Sequence, residues 1–337
     1  MRRPKILTTA ALSLTLGLTI IAHEPEAARS TASPVALDVP FAVATRAFDV
    51  TDSGDIVGLY ITADTRVHGF LLTRGVYTSI EVPGAVRTNA VGVAELREMS
   101  EGDDDDHDGF RGGKQRRLAV VGRYDTPDTA NPMASITHGY VLRDDGLMTI
   151  DHPEASTVGV VGAINTVTTG INSSGHIVGR YRSKVDNQLR GFVLADGEFT
   201  TPIELPEPMY SININDKGDI AGYYGDSTGR SHAFVLRNGV LTTIDPPDSL
   251  ETGQNAGVIG INSRVVVGFY RFAPATMMMD GRRAFVYSLR DGSLTTFALP
   301  EPVRATAFFG INRRGDIVGN FVDADRREHG LLLPRHK

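Results

Sequence analysis

The chain has 337 residues, a net charge of −6 and no cysteine. Acidic and basic residues are interspersed, so no basic field exists to attract a nucleic acid or an anionic membrane surface, and neither is expected as a partner. The absence of cysteine excludes disulfides, thiol chemistry and a lipid-modified N-terminal cysteine.

Residues 1–32 have the pattern of a signal peptide followed by a short linker. Three basic residues come first: Arg2, Arg3 and Lys5. An apolar segment follows over 6–22, and small residues at Ala28 and Ala32 offer two cleavage positions. An uncleaved membrane anchor is the alternative, but the apolar segment is short and diluted by serine and threonine. We therefore predict an extracytoplasmic protein, secreted or periplasmic, with no membrane attachment after signal removal.

A short motif recurs along the rest of the chain and defines its organisation. The clearest copy, over 170–181, reads Gly-Ile-Asn-Ser-Ser-Gly-His-Ile-Val-Gly-Arg-Tyr. Close copies lie at 214–224 and 310–319, a looser copy lies at 51–58, and a shortened copy lies at 260–268. A regular repeat allows one large all-β domain to use a length that would otherwise suit two average domains.

The unit over 210–247 shows how each copy is predicted to fold. Four strands are expected, at 210–215, 219–224, 232–236 and 241–245. Asn238-Gly239 is a strong signal for a two-residue hairpin between the third and fourth strands, and Pro246 ends the last strand. Each unit is therefore predicted to be a four-stranded antiparallel sheet, with strands called a, b, c and d in chain order.

Six such units account for residues 33–337. Their predicted bounds are 47–83, 89–153, 168–206, 210–247, 257–300 and 306–334. The sixth unit lacks strand d, whereas residues 35–40 look like a strand d without a unit. The sequence therefore predicts an all-β fold, a six-bladed β-propeller of four-stranded blades, closed by the N-terminal strand completing the last blade.

The Gly-Ile-Asn and Ile-Val-Gly segments, followed by His232-Ala233-Phe234, resemble the bacterial extracellular repeats of the HAF-repeat family. The resemblance covers nearly all of the chain after residue 32 and implies export and repetition. It implies no catalytic residue, because the family has no established activity. Arg190 and Arg283 depart from the pattern, since each stands in the histidine position.

A basic residue at the start of strand c faces an acidic residue at the end of strand d in most predicted hairpins. Counting outward from the turns gives four pairs: His68 with Glu81, His138 with Asp151, His232 with Asp245, and His329 with Asp38. Arg190 is predicted to face Glu204 across a bulge at Pro202, and Arg283 to face Ala298. Either these pairs fix hairpin register, or the four histidines, Arg190 and Arg283 bind a ligand, with carboxylates fixing the imidazole tautomers.

The b–c and d–a loops are longer and more variable than most a–b and c–d turns. Strand order places these long loops together on one face of the propeller, here called the long-loop face. Any binding site is expected there, over the mouth of the central channel. The aromatic residues that end strand b are predicted to pack between blades: Tyr60, Tyr124, Tyr181, Tyr224, Tyr270 and Phe321.

An acidic insertion over 95–117 separates strands a and b of the second unit. Asp104, Asp106 and Asp108 alternate as in the first half of a calcium-binding loop. Gln115 stands where such a loop needs a bidentate glutamate, and no flanking helix pattern is present. Weak calcium binding by the three aspartates is one interpretation, and a solvated excursion without metal is the other. No other cofactor is predicted.

The chain contains no familiar hydrolase, zinc-protease or phosphate-loop motif. We predict a monomeric binding scaffold that contacts an unidentified protein or carbohydrate through the long-loop face. An enzyme is the alternative: a carbohydrate or lactone hydrolase or lyase, calcium-dependent or not, with its site at the channel mouth. A purely structural role at the cell surface is the third interpretation.

Overall fold

The computed structural model describes residues 6–7, 33–97, 116–131, 133–158, 164–200, 208–246, 256–271, 281–300 and 302–335. Every regular element among them is a β-strand. Most of the predicted signal segment and the three aspartates of the acidic insertion lie outside the described residues.

The strands follow the predicted grouping into six units. Two strands precede the repeats: β1 (Ile6–Leu7), which pairs with residues Tyr77 and Thr78 of the first unit, and β2 (Val35–Leu37). The first unit comprises β3 (Ala44–Val50), β4 (Ile56–Ile61), β5 (Val67–Thr73) and β6 (Val76–Ile80), and the second comprises β7 (Arg87–Leu96), β8 (Arg117–Pro127), β9 (Ser135–Arg143) and β10 (Gly146–Ile150). The third comprises β11 (Thr166–Ile171), β12 (Ile177–Arg182), β13 (Leu189–Ala195) and β14 (Glu198–Thr200), and the fourth comprises β15 (Met209–Ile214), β16 (Ile220–Gly225), β17 (Ser231–Arg237) and β18 (Val240–Ile244). The fifth comprises β19 (Ala256–Ile261), β20 (Val265–Arg271), β21 (Arg282–Ser288) and β22 (Leu294–Phe297), and the sixth comprises β23 (Ala305–Ile311), β24 (Ile317–Val322) and β25 (Glu328–Leu333).

The strands of each unit pair antiparallel in chain order, but the units are not all separate sheets. The third, fourth and fifth units are four-stranded sheets, as predicted. The first, second and sixth units are instead joined in one 13-stranded sheet. Two single parallel bridges join them, from Glu328 to Ala44 and from Val67 to Arg87. At these points strand c of one unit comes close enough to strand a of the next for their backbones to pair.

The N-terminal strand supplies the missing strand d of the sixth unit, as predicted. β2 pairs antiparallel with β25, and Val35 lies opposite Leu332. Leu37 is buried in a cluster that contains Tyr77 of the first unit and Val318 of the sixth. The first and last units are therefore held together by residues from both ends of the repeat region.

The six units form a ring. Each innermost strand contacts the innermost strand of the next unit, and β23 contacts β3. Six hydrophobic clusters of described residues each join two neighbouring units. Tyr60, Tyr124 and Tyr270 belong to three of these clusters, which confirms the predicted packing of these rings between blades. This arrangement is that of a β-propeller.

Close packing within each unit explains the glycine of strand b. A Cβ atom at Gly179 would lie 2.2 Å from the carbonyl oxygen of Val167 and 2.5 Å from the ring of Phe192. Phe192 is fully buried, so its ring occupies the space that a side chain would need. The repeated Ile-Val-Gly segment thus allows a large strand c side chain to pack directly on strand b.

The asparagine of the Gly-Ile-Asn segment links one unit to the next. Asn172, Asn215 and Asn262 each donate a hydrogen bond from Nδ2 to the backbone carbonyl of the asparagine that follows in the next unit. Asn312 donates to the carbonyl of Thr51, from the sixth unit to the first. Each asparagine Oδ1 also accepts backbone N–H groups of its own turn. One residue type therefore both stabilises the turn and ties adjacent blades.

Candidate functional site

The predicted hairpin register is confirmed in four units. The histidine Nδ1 lies 3.2 Å from Glu81 Oε1 for His68, 2.8 Å from Asp151 Oδ2 for His138, 2.9 Å from Asp245 Oδ1 for His232, and 3.0 Å from Asp38 Oδ2 for His329. The last pair crosses from β25 to the segment after β2, so it joins the two ends of the repeat region.

Each of these histidines also stacks on the aromatic residue that ends strand b of its own unit. The ring centroids lie 5.0 Å apart for Tyr60 and His68, 5.0 Å for Tyr124 and His138, 5.4 Å for Tyr224 and His232, and 4.9 Å for Phe321 and His329. The imidazole is therefore held between an aromatic ring and a carboxylate, which is a structural role repeated around the propeller.

Two of the histidines have a second carboxylate partner in the b–c loop. His232 Nε2 lies 3.1 Å from Asp226 Oδ2, and His329 Nε2 lies 3.1 Å from Asp323 Oδ2. The hydrogen bond to Asp38 raises the pKa of His329 above its usual value, against the opposing effect of burial. Burial lowers the pKa of His232, but hydrogen bonds to its two carboxylates outweigh burial and raise that pKa overall.

In the third unit, different residues make the contacts that the strand c histidine makes elsewhere. Arg190 forms a bidentate ion pair with Asp186 of its b–c loop, at 2.8 and 2.6 Å. Its predicted partner, Glu204, lies outside the described residues. Tyr181 stacks instead on His152 from the preceding d–a loop, with centroids 3.6 Å apart. Burial lowers the pKa of His152 to about 4, so this imidazole is neutral at physiological pH.

The structure does not bring the six predicted ligand-binding residues together. His68, His138, Arg190, His232, Arg283 and His329 lie one in each unit, on strand c of the outer hairpin. In the fifth unit, Ala284 pairs with Phe297, and this register places Arg283 opposite Ala298, as predicted. The central channel has a cavity at each end, and none of these six residues lines either cavity. A role for them in ligand binding stays a prediction.

One cavity of about 320 Å³ lies at the channel end formed by the a–b turns. Asp49, at the end of β3, is one of its lining residues. Its Oδ2 accepts a hydrogen bond from the Val93 N–H at 2.9 Å, and its Oδ1 accepts one from the Val50 N–H at 2.8 Å. Burial raises the pKa of Asp49 to about 7, although both hydrogen bonds oppose this shift. A carboxyl group that titrates near neutrality therefore lies in the channel.

A second cavity, of about 390 Å³, lies at the opposite end of the channel. Residues at the starts of strands a and c and towards the ends of strands b line it, so it opens on the long-loop face. Four of its lining residues are arginines: Arg46, Arg87, Arg123 and Arg180. No aspartate or glutamate among the described residues lines this cavity. The structure thus has a cavity where the sequence places the binding site, but its charged side chains are not those that the sequence singles out.

The arginines were missed because sequence comparison of the units emphasises what recurs. Arg123 and Arg180 each follow the glycine of strand b directly, where the first unit has Leu59. They could have been identified in the sequence at the position between the strand b glycine and the aromatic residue, because the side chain there differs from unit to unit.

Among the described residues, no group of three or more histidine, aspartate or glutamate side chains is arranged to hold a metal ion. Asp104, Asp106 and Asp108 lie outside that part of the chain, so calcium binding there stays a prediction. No helix in the described ranges is long and apolar enough to cross a membrane.

No protein-family model matches the chain, and no curated protein sequence is significantly similar to it. Solved structures do show similarity. A protein of unknown function from Dyadobacter fermentans is 10% identical over 91% of this chain and 99% of its own, with a TM-score of 0.52. AofleA from Arthrobotrys oligospora is 12% identical over 87% and 84%, with a TM-score of 0.49, and a fucose-specific lectin from Aleuria aurantia is 13% identical over 76% and 79%, with a TM-score of 0.42. At such identities the first similarity shows a shared fold and nothing about function.

Proposed function

We propose that this chain is an exported binding scaffold of the HAF-repeat type that contacts its ligand through the long-loop face. In this proposal residues 1–32 are removed on export, and the remaining chain is a monomeric six-bladed β-propeller closed by its N-terminal strand. The ligand is a carbohydrate or a protein outside the cytoplasm.

The observation that carries the proposal is the long-loop face itself. The cavity of about 390 Å³ opens there, within the range of about 300–1,000 Å³ that is usual for ligand pockets. Three apolar side chains in the surrounding loops are largely exposed: Phe41 at 87%, Met133 at 84% and Val185 at 80%. Phe41 also has a φ of 67°, a backbone conformation that is unfavourable for a bulky residue. Exposed apolar side chains in the loops of one face suit a binding surface.

The test is binding of the exported protein to an array of neutral and acidic oligosaccharides. We expect Phe41→Ser and Val185→Ser to weaken binding at least tenfold, because both remove apolar contacts at the long-loop face. Val240→Ser is the matched control, since Val240 is 64% exposed at a c–d turn on the opposite face. Equal losses in all three variants, or none, would contradict the assignment of the face. Absence of binding to every oligosaccharide would exclude the carbohydrate form of the proposal.

An enzyme is the second candidate, and Asp49 is the observation that favours it. A carboxyl group with a pKa of about 7 in a channel cavity has the property expected of a general acid or base. The substrate would be a carbohydrate or a lactone, cleaved by hydrolysis or elimination, with or without calcium. Turnover of such a substrate that is lost in Asp49→Asn would favour this candidate over the scaffold.

Calcium binding by Asp104, Asp106 and Asp108 is a separate proposal that thermal unfolding can test. An ion that binds only the folded state raises the unfolding midpoint, so millimolar calcium should raise it. The control replaces all three aspartates with asparagine. A rise lost in that variant locates calcium in the insertion, whereas a rise that persists locates it elsewhere and strengthens the enzyme candidate. No rise contradicts calcium binding.

A further inference from the structure

The cavity on the long-loop face is lined by an unbalanced set of charges. Arg46 Nη2 lies 2.8 Å from Glu328, and Arg87 Nε lies 3.7 Å from Asp125. Asp125 is also the acidic neighbour of Arg123, so one carboxylate serves two guanidinium groups. Counting Arg180, four arginines are matched by two carboxylates, both set behind the wall of the cavity. Within the described residues, the lining of this cavity therefore carries an excess of positive charge.

Arg180 has no countercharge within the described ranges. Its side chain donates no hydrogen bond and forms no ion pair there, and its Nε is buried without a partner. The titratable groups beside it are two phenols, Tyr223 and Tyr210, and two further guanidinium groups, Arg123 and Arg182, so none of them is a carboxylate. Burial lowers the pKa of Arg180 to about 10, so the guanidinium still carries its charge at neutral pH. An isolated charge in this position destabilises the folded protein, and a bound anion would remove that penalty.

The fold does not require arginine at this point of strand b. The other units have different side chains at the position that follows the glycine: Leu59, Tyr223, Phe269 and Asn320. The same backbone therefore accepts an aliphatic, an aromatic or an amide side chain. Two arginines in adjacent units, one of them unpaired, are better explained by a ligand than by architecture.

We propose that the cavity binds the oxyanion group of a ligand, a carboxylate or a phosphate, between Arg123 and Arg180. A guanidinium group can donate two parallel hydrogen bonds to such a group, which adds direction as well as charge. Arg46 and Arg87 line the same cavity, each beside a carboxylate. This inference rests on the proposed binding function and makes the ligand class more specific: an acidic sugar or a phosphorylated compound whose charged end enters the channel.

Titration calorimetry of the full exported protein tests the site directly. The probes are glucuronate and inorganic phosphate, with glucose as the neutral control, all at equal ionic strength. We expect heat of binding with at least one anion and none with glucose. Binding of glucuronate alone indicates a sugar acid as the source of the anion, and binding of phosphate alone indicates a phosphorylated ligand. Absence of binding for both anions overturns the proposal.

Arg180→Leu and Arg123→Leu are the deciding variants, because the first unit has leucine at the same position. Each is expected to weaken anion binding at least tenfold. Arg290→Gln, at an exposed turn of the fifth unit, is the matched control and should bind like the unmodified protein. Anion affinity that is unchanged in both leucine variants would overturn the proposal.

A stability measurement without ligand gives a second, independent outcome. Arg180→Leu should raise the thermal unfolding midpoint by a few degrees, because it removes an unpaired, desolvated charge, while Arg290→Gln leaves it unchanged. A lower midpoint for Arg180→Leu would show that the arginine is a structural residue. Anion binding without any oligosaccharide binding would support this site and count against the carbohydrate scaffold, so the two proposals fail separately.

Discussion

At the scale of single residues, two strand c histidines combine a carboxylate partner fixed by strand pairing with a second one supplied by a b–c loop. The partner on strand d could be predicted, because antiparallel pairing fixes which residues lie opposite once the turn is known. The second carboxylates, Asp226 and Asp323, could not be predicted, because they come from b–c loops whose conformation is independent of strand register. His152 was also missed, since its contact with Tyr181 depends on the path of a d–a loop.

His329 is expected to stabilise the folded protein in a pH-dependent way. Its folded-state pKa lies above its usual value, so its contribution is complete below about pH 6.5 and is lost as the pH rises through the raised pKa. His329→Gln should therefore lower the free energy of unfolding by about 1–2 kcal/mol at acidic pH and by much less at alkaline pH. Urea unfolding at the two pH values measures the difference.

His176→Gln provides the comparison for this prediction. His176 lies in an a–b turn, and its side chain has no carboxylate partner within the described ranges. We expect the same small change in unfolding free energy at both pH values for this variant. A pH-independent loss in His329→Gln would mean that the imidazole acts through packing on Phe321 rather than through its charge.

Asp49 should make stability depend on pH in the same direction as His329, because its folded-state pKa is also raised. Its folded-state pKa of about 7 exceeds the value of an unfolded aspartate, so unfolding releases a proton between about pH 4 and pH 7. The free energy of unfolding should decrease across this interval by roughly 1–3 kcal/mol from this residue, and Asp49→Asn should remove that part of the slope. Urea unfolding at several pH values provides the measurement.

For Asp49, the informative quantity is the slope of the unfolding free energy against pH, rather than the absolute stability of the variant. Asparagine cannot accept both the Val93 and Val50 N–H groups with its two terminal atoms, so the variant loses a hydrogen bond at every pH. Ser174→Asn, at an exposed turn position, serves as the control, because it changes no ionisable group, and it should keep the slope of the unmodified protein. Identical slopes for all three proteins would contradict the raised pKa.

At the scale of strands and turns, the recurring asparagines and glycines have structural contacts, whereas two arginines at a non-recurring position line the cavity on the long-loop face. The asparagine of each turn ties neighbouring units, and Gly179 illustrates why strand b needs glycine. Such residues recur because every unit makes the same turn and the same contact between strands b and c. Arg123 and Arg180 occupy a position where the units differ, so a search for repetition passes over them. The merging of three units into one sheet was also unexpected, because single backbone bridges leave no pattern in the sequence.

The N-terminal strand is expected to contribute strongly to stability. Leu37 is 7% exposed and packs against residues of both the first and sixth units. Leu37→Ala should lower the free energy of unfolding by about 2–4 kcal/mol, since it leaves a cavity in this cluster. Leu147→Ala is the control, because Leu147 lies on strand d of the second unit but is 37% exposed. Comparable losses in the two variants would contradict a special role for ring closure.

At the scale of the whole molecule, the all-β fold class and the presence of a cavity on the long-loop face could be predicted from strand order, whereas the cavity at the a–b turns was not predicted. Neighbouring strands within a unit run in opposite directions, so the tight a–b and c–d turns lie at one end of the channel and the long b–c and d–a loops lie at the other. The two ends can therefore be told apart from the sequence. The character of each end could not be predicted in this way. It depends on which side chains from different units converge, and units that are far apart in sequence meet only in the ring.

Pairing of β2 with β25 also has a consequence for the order of events during folding. His329 contacts Asp38 across 291 positions of sequence, so the first strand of the propeller leaves the ribosome long before its partner exists. Until then β2 has an open edge and Leu37 has no complete core to enter. Contacts this distant in sequence slow folding and leave strand edges available for wrong pairing. The same contact that completes the ring therefore keeps the propeller incomplete until almost all of the chain has been made.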